Sequence, residues 1–477
     1  MKSALTQAIV RMRATGARPA SFGSAIVAAF ALMLSLAACT SPIIVSEPGQ
    51  LKGEPARGAV KPLADYLRTT DGHAPQLKLV FIHGIGDVCP GYALGENGWL
   101  SGTHLAAIGF APIGDASPPQ RIYSNEFLGG ARIDDSYVTV SKRPFLFAPD
   151  PNRPAIGVHV EAIEITYSPL TQWLKSQQLG YDLTGPFKPA DNPAFACVAG
   201  VPPYYAAPPA RAGFNAGMKE AVIDRGLADA VLYLGPYGHA MRSGVAEAMC
   251  RALSNNRTGG RCAWPAPAPD TRYVFVVHSL GSRLIYDTLL GLLDQNTCSG
   301  EVDVAAGQEH AASRFAASVI ANSPVIYMMA NQMPLLGLAT IPAQVQPQPV
   351  GSGQPAGSVG AIGQPFEPCG GLRRFASAKA AQQAQATAGS AAQLDIVAFS
   401  DTDDVLSWGL PKWYVRELPE AGGQKLDIHA VNVYVQNATR WFGAYENPGK
   451  AHVGYFDNPQ VWRVVACGAR DGKALSC

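Results

Sequence analysis

Apolar positions along the chain fall into short unbroken runs separated by stretches with helical spacing. Tyr273-Val274-Phe275-Val276-Val277 is of strand length, β-branched and aromatic, with no polar alternation. A strand covered on both faces of a parallel sheet has this composition. Residues 77–82 and 394–399 repeat the pattern, while 158–167 and 427–435 alternate; all four read as strands, and 315–322 is read as another. Beyond Val277, the positions Leu284, Ile285, Thr288, Leu289 and Leu292 predict a helix beginning near Gly281. Helices are also expected over 226–235, roughly 238–253 and 458–467, whereas 168–174 opens either a helix or a loop. Strands near 77–82, 158–167, 272–277, 315–322, 394–399 and 428–435 thus alternate with helical segments. That order predicts an α/β fold, a mostly parallel β-sheet with helices on both faces.

Two stretches break the rhythm. Residues 185–212 are rich in Pro and Ala and carry Tyr204-Tyr205. They read as an insertion over the carboxyl edge of the sheet, either a substrate-facing cap or a surface loop pinned by disulfides. Residues 340–393 are dominated by Gln, Pro, Gly, Ser and Ala and are expected to be a mobile insertion, with Cys369 and Arg373-Arg374-Phe375 anchoring its middle. Residues 327–336 are unusually apolar for a loop; they either line an acyl pocket or pack in the core.

The N-terminus has the make-up of a targeting segment. Lys2, Arg11, Arg13 and Arg18 precede an apolar core at 25–36 that is short for a membrane span. Leu36-Ala37-Ala38-Cys39 then resembles the lipobox of bacterial lipoproteins. That resemblance implies a signal peptide over 1–38, lipidation of Cys39 and, with Thr40 rather than an aspartate next, anchoring in the outer membrane. An ordinary secretory signal with an incidental cysteine is the alternative. Residues 39–74 read as a tether, and 75–477 as the folded domain with its insertions.

Composition narrows the classes. The chain has 477 residues, 47% hydrophobic and 15% charged, with a formal net charge of +1. A balance so near zero argues against nucleic acid as partner. Beyond Cys39 there remain Cys89, Cys197, Cys250, Cys262, Cys298, Cys369, Cys467 and Cys477. An even set in an exported chain suggests disulfides, with the short loops 250–262 and 467–477 favoured. No pair of cysteines at zinc-ligand spacing appears, and neither metal nor cofactor is expected.

The chemistry gathers around His278-Ser279-Leu280-Gly281, a serine on a strand-to-helix turn. Its own amide and that of Leu280 fall at a helix N-terminus, where unpaired N–H groups suit a developing negative charge. The stretch resembles the Gly-x-Ser-x-Gly nucleophile elbow of the α/β-hydrolase superfamily, with Val277 in place of the first glycine. A valine there suggests a slightly opened elbow. His83-Gly84-Ile85-Gly86 after the first long strand resembles the oxyanion loop of the same superfamily. This implies the backbone amides of Ile85 and Leu280 as oxyanion donors. The resemblance further implies an acid after a late strand, for which Asp404 is chosen and Asp401 is the runner-up. It implies a histidine after the last strand, which is His452; the rival, His429, lies within the strand pattern. Ser279, Asp404 and His452 follow the family order of nucleophile, acid and base. The function implied is hydrolysis of carboxylic, acyl or lipid esters through an acyl-enzyme. Two alternatives stay open: a non-catalytic, membrane-anchored scaffold that keeps the fold, and a cation-binding surface protein using Asp401, Asp403 and Asp404.

Overall fold

In the computed structural model, thirteen strands lie among the described residues, in chain order: β1 (Ile44–Ser46), β2 (Ala59–Val60), β3 (Gln76–Ile82), β4 (Phe110–Pro112), β5 (Gln120–Tyr123), β6 (Tyr137–Phe147), β7 (Val158–Thr166), β8 (Thr271–His278), β9 (Val325–Met329), β10 (Ala392–Asp401), β11 (Leu426–Val435), β12 (Ala469–Arg470) and β13 (Lys473–Ala474). The structure describes residues 43–48, 58–67, 76–148 without 97, 101–104 and 106–107, 157–179, 212–253, 260–293 without 267 and 269, 301–340, 371–386, 392–411, 426–440, and 445–475 without 471–472. The signal segment, Cys39 and nearly all of the 185–212 insertion lie outside the described residues.

The main sheet has ten strands in the order β1-β11-β10-β9-β8-β3-β7-β6-β4, with β5 also paired to β6. Its centre, from β11 through β10, β9, β8 and β3 to β7, is parallel. The edges are antiparallel: β1 on one side, and β6 with β4 and β5 on the other. The fold is therefore α/β with a mostly parallel, mixed sheet.

Alternation along the central strands explains their unbroken apolar sequence. Tyr273, Phe275 and Val277 of β8, with Val80 and Ile82 of β3 and Ile163 and Ile165 of β7, join one core. That core includes residues of the helices Gly238–Leu253, Leu280–Leu293, Glu309–Ala321 and Gly371–Ala386. Val274 and Val276, Leu77, Leu79 and Phe81, and Val160 and Ala162 point the other way. They meet Leu63 and Leu67 of a short 3-10 turn and the helix Pro459–Cys467. Both faces are covered, so neither has to be polar. Fully burying one Val, Leu, Ile or Phe side chain contributes ~1.5–3 kcal/mol, and two such cores hold the central strands in place.

Several expectations need correction. Residues 315–321 are helical, within Glu309–Ala321, with Asn322 capping the helix, and the strand is β9 at Val325–Met329. Phe315, Ala316, Val319 and Ile320 are the buried positions of that helix, a helical spacing that a strand reading overlooks. Of the apolar stretch 327–336, Tyr327–Met329 is consequently sheet interior, since β9 is buried throughout, and Met333–Gly337 is a short helix after a three-residue link. The expected tether also contributes to the fold. Its β1 pairs with β11, its β2 with β12, and Leu63–Leu67 packs beside the Pro459–Cys467 helix. Within the expected mobile insertion, Gly371–Ala386 is a helix whose Leu372, Phe375, Ala376 and Ala380 are buried. Cys250 and Cys262 form a disulfide with Cα atoms 6.1 Å apart, as expected. Cys89 and Cys467 are disulfide-bonded as well; Cys477, the expected partner of Cys467, lies outside the described residues. Among the described residues, no helix is long and apolar enough to cross a membrane.

Candidate active site

The chain leaves the carboxyl ends of the parallel strands β8, β10 and β11 on one edge of the sheet. Ser279 follows β8 at once and precedes the helix Leu280–Leu293. Its φ of 53° lies in the left-handed region, which costs a non-glycine residue ~1–2 kcal/mol. The turn is tight on both sides. A Cβ on Gly281 would come within 2.5 Å of the His83 carbonyl oxygen, and one on Gly84 within 2.4 Å of the Ser279 Cβ. Both positions require glycine because β3 and its following loop pass directly against the elbow. Val277 lies within β8, opposite Ile82 on one side and Met328 on the other.

Asp404 and His452 are joined. His452 Nδ1 lies 3.0 and 3.1 Å from the two Asp404 carboxylate oxygens. Asp404 also accepts the Leu406 amide at 2.9 Å and the Tyr455 hydroxyl at 2.9 Å. Burial pushes the Asp404 carboxyl up. The His452 hydrogen bond and charge, with the Leu406 and Tyr455 donors, outweigh it and hold the group below its usual range. An ionised Asp404 accepts, so Nδ1 carries the proton and Nε2 presents its lone pair. His452 sits in a short helix, Pro448–Val453, not in an open loop as expected.

Ser279 is fully buried, and its Oγ has no hydrogen-bond partner; His452 Nε2 is likewise buried without one. The serine and the histidine are thus not hydrogen-bonded to each other. They are linked through His278, which directly precedes the serine. The His278 and His452 rings lie 4.9 Å apart, and His278 Nε2–H donates to the His452 carbonyl at 2.8 Å. Burial, and the neighbouring His452, lower the His278 imidazole to about 3, so it stays neutral.

Of the two amides expected to be unpaired at the helix N-terminus, one is engaged. The Ser279 amide donates to the Met329 carbonyl at 2.8 Å and is committed to the sheet edge. Leu280, the first residue of its helix, retains a first-turn amide with no acceptor inside the helix. Ile85 lies between Gly84, packed on the serine, and Gly86, whose amide donates to Asp229 Oδ2 at 2.7 Å.

The remaining candidates fall away from this centre. Asp401 accepts the amides of Asp403 and Asn437 at 2.9 and 2.5 Å, and does not pair with His452. His429 lies on β11 with its ring 3.8 Å from Asp395, as a strand position implies. Among the described residues, the acidic group that could hold a cation consists of Asp401, Asp403 and Glu446; it excludes Asp404, and Arg440 already pairs with Asp403. An open cleft lined by Gln76, Asp115, Lys142, His159 and Glu161 lies at the amino end of β3, the end opposite Ser279.

Sequence reasoning missed His278, Tyr455 and a set of buried charges behind the glycine loop. Lys175 lies 2.9 Å from Asp87 and 2.8 Å from Asp229, and Arg225 lies 2.9 Å from Asp87, all with side chains no more than 5% exposed. Burial opposes the Lys175 charge, but the two carboxylates outweigh it and hold the ammonium above its usual range. Glu164 of β7 was missed too; it accepts the amides of Gly91, Ala93 and Leu94 and so secures the chain beyond the glycine loop. Comparison with family models, curated proteins and solved structures finds no match for this chain.

Proposed function

We propose that the protein is a serine hydrolase of carboxylic esters with an α/β-hydrolase fold, using Ser279 as nucleophile, His452 as base and Asp404 as its orienting acid. The observation that carries this reading is the edge they share. Side chains of the three required kinds leave the carboxyl ends of β8, β10 and β11, with Asp404 already on the histidine and the serine in a left-handed turn before a helix. Ligand and catalytic groups gather at this edge in open α/β sheets.

The chemistry follows from the protonation states. His452 Nε2 takes the Ser279 proton as the oxygen attacks the ester carbonyl, and Asp404 stabilises the imidazolium. The amides of Leu280 and Ile85 hold the oxyanion, one such donor contributing ~3 kcal/mol to the transition state. His452 then protonates the leaving alcohol, and water repeats the sequence on the acyl-enzyme.

Membrane anchoring through Cys39, in the outer membrane, remains part of the proposal and points to lipid or acyl esters. Cys39→Ala should move the protein from the membrane fraction to the soluble one; an unchanged distribution would refute the anchor. The test of the chemistry is hydrolysis of p-nitrophenyl esters by purified protein. Ser279→Ala should abolish it, and full retention would remove Ser279 from the mechanism. A non-catalytic scaffold is favoured by one observation, the complete burial of Ser279 with no bond to His452. Catalytic hydrogen bonds in enzymes without substrate are often long and tighten on binding, so the enzyme reading is preferred.

A further inference from the structure

The peptide linking Gly84 to Ile85 is trans, so its carbonyl and its N–H point in opposite directions. Whatever holds the Gly84 carbonyl therefore aims the Ile85 amide. Two groups hold it. The Tyr167 hydroxyl donates to it at 2.6 Å, and His83 Nδ1 lies 2.8 Å away. The His83 tautomer is fixed by its other nitrogen: Nε2 faces the amides of Tyr167 and Ser168 at 3.1 and 3.3 Å, and must accept. Nδ1 therefore carries the proton and donates to Gly84. The His83 ring also stacks on Tyr167, with centroids 4.0 Å apart.

The next peptide is pinned as well. Its N–H, on Gly86, donates to Asp229 Oδ2 at 2.7 Å. Asp229 is held by Lys175, which bridges to Asp87 in the same glycine loop and donates to the Arg225 carbonyl at 2.8 Å; Arg225 closes the circuit on Asp87. Two acidic and two basic side chains thus face one another in one buried cluster. Val88, one residue on, donates its amide to Ser168 Oγ at 2.9 Å. Both peptides flanking Ile85 are thus fixed by side chains from elements far apart in sequence.

We propose that Tyr167 and the buried Asp229–Lys175–Asp87–Arg225 assembly are positioning residues that aim the Ile85 amide at the oxyanion formed on Ser279. This rests on the serine-hydrolase reading above. A purely structural role would lower stability and leave the balance of kcat and KM untouched. A positioning role lowers kcat while KM holds, because the donor acts on the transition state.

The experiment uses the full chain and a matched pair of probes, a p-nitrophenyl oxoester and its thionoester analogue. Tyr167→Phe removes one hydroxyl and keeps the ring stack. Asp229→Ala removes the acceptor of the Gly86 amide, whereas Asp229→Asn keeps an acceptor oxygen. We expect Tyr167→Phe and Asp229→Ala to lose about 10- to 100-fold in kcat on the oxoester, with KM within about twofold. We also expect the oxoester preference over the thionoester to shrink in both, and Asp229→Asn to recover most of the loss. If Asp229→Ala does not fold, Tyr167→Phe alone decides. Unchanged kcat and unchanged thionoester discrimination in a folded Tyr167→Phe would overturn the proposal. Ser279→Ala separates the two claims: activity surviving there removes the hydrolase reading, whereas activity lost there but intact in Tyr167→Phe removes only this one.

Discussion

The two halves of the candidate site are finished to different degrees. On the acid side, Asp404 has three kinds of donor on it: the His452 ring, the Leu406 amide and the Tyr455 hydroxyl. The Tyr455 oxygen in turn accepts the Asp401 amide at 2.6 Å. On the serine side, Ser279 Oγ and His452 Nε2 are buried without partners. Buried polar atoms are normally satisfied, and leaving one unpaired costs about 1–3 kcal/mol. The difference teaches that the protein spends its hydrogen bonds on orienting the His452 ring through Asp404 and leaves Ser279 Oγ and His452 Nε2 unengaged. Strain in the φ of Ser279 falls on that unengaged half, as it does at sites held for function.

Breaking the serine half should have the largest effect. Ser279→Ala should lower ester-hydrolysis kcat by roughly 10⁶-fold, with thermal stability unchanged or improved once the unpaired hydroxyl is gone. Calorimetry beside a kinetic assay checks both parts. On the acid half, Asp404→Asn keeps the shape and upsets the tautomer. Nδ1 would no longer be compelled to carry the proton, and kcat should fall by about 10⁴-fold with little change in KM. A smaller loss than that would mean the acid half is less important than its hydrogen bonds imply. Tyr455→Phe takes one donor from Asp404 and the acceptor from the Asp401 amide. It should cost about 1–3 kcal/mol in denaturant unfolding and only a few-fold in kcat.

The smallest effect concerns two carboxylates treated in opposite ways. Asp404 is held low by its donors. Glu446, pushed up by burial and then by the nearby Asp401 charge, sits at about 7. Between the ordinary glutamate range near 4.5 and about 7, the folded protein keeps a proton that the unfolded chain has released. Stability should therefore fall as pH rises through that window and stay lower above it. Glu446→Gln should flatten the dependence of Tm on pH between about 5 and 8 and raise Tm at the upper end. A Tm for the unaltered protein that climbs over this range would contradict the assignment.

Much of the sheet was legible because burial on both faces writes itself as unbroken apolar runs, as in 273–277. The serine turn was legible because a strand pattern gives way to a helical one within three residues. The error at 315–329 arose where Pro324 separates two apolar stretches of similar length. Counting the spacing of Phe315, Ala316, Val319 and Ile320 would have identified the helix. The role of 43–46 was signalled by Ile43-Ile44-Val45, a short apolar run inside an otherwise polar segment. Asp87, Lys175, Asp229 and Arg225 gave no such signal. Each looks like a solvated surface charge in its own window, and only the fold brings residues as far apart as 87 and 229 together. His278 and Tyr455 were hidden for the same reason, since their partners lie on other strands.

Covalent labelling with a fluorophosphonate, followed by mass spectrometry of the digested protein, tests the central claim most directly. The account predicts a single adduct on the peptide containing Ser279, absent from Ser279→Ala and strongly slowed in Asp404→Asn. Folded protein that takes up no label, or an adduct on another residue that persists in Ser279→Ala, would contradict it.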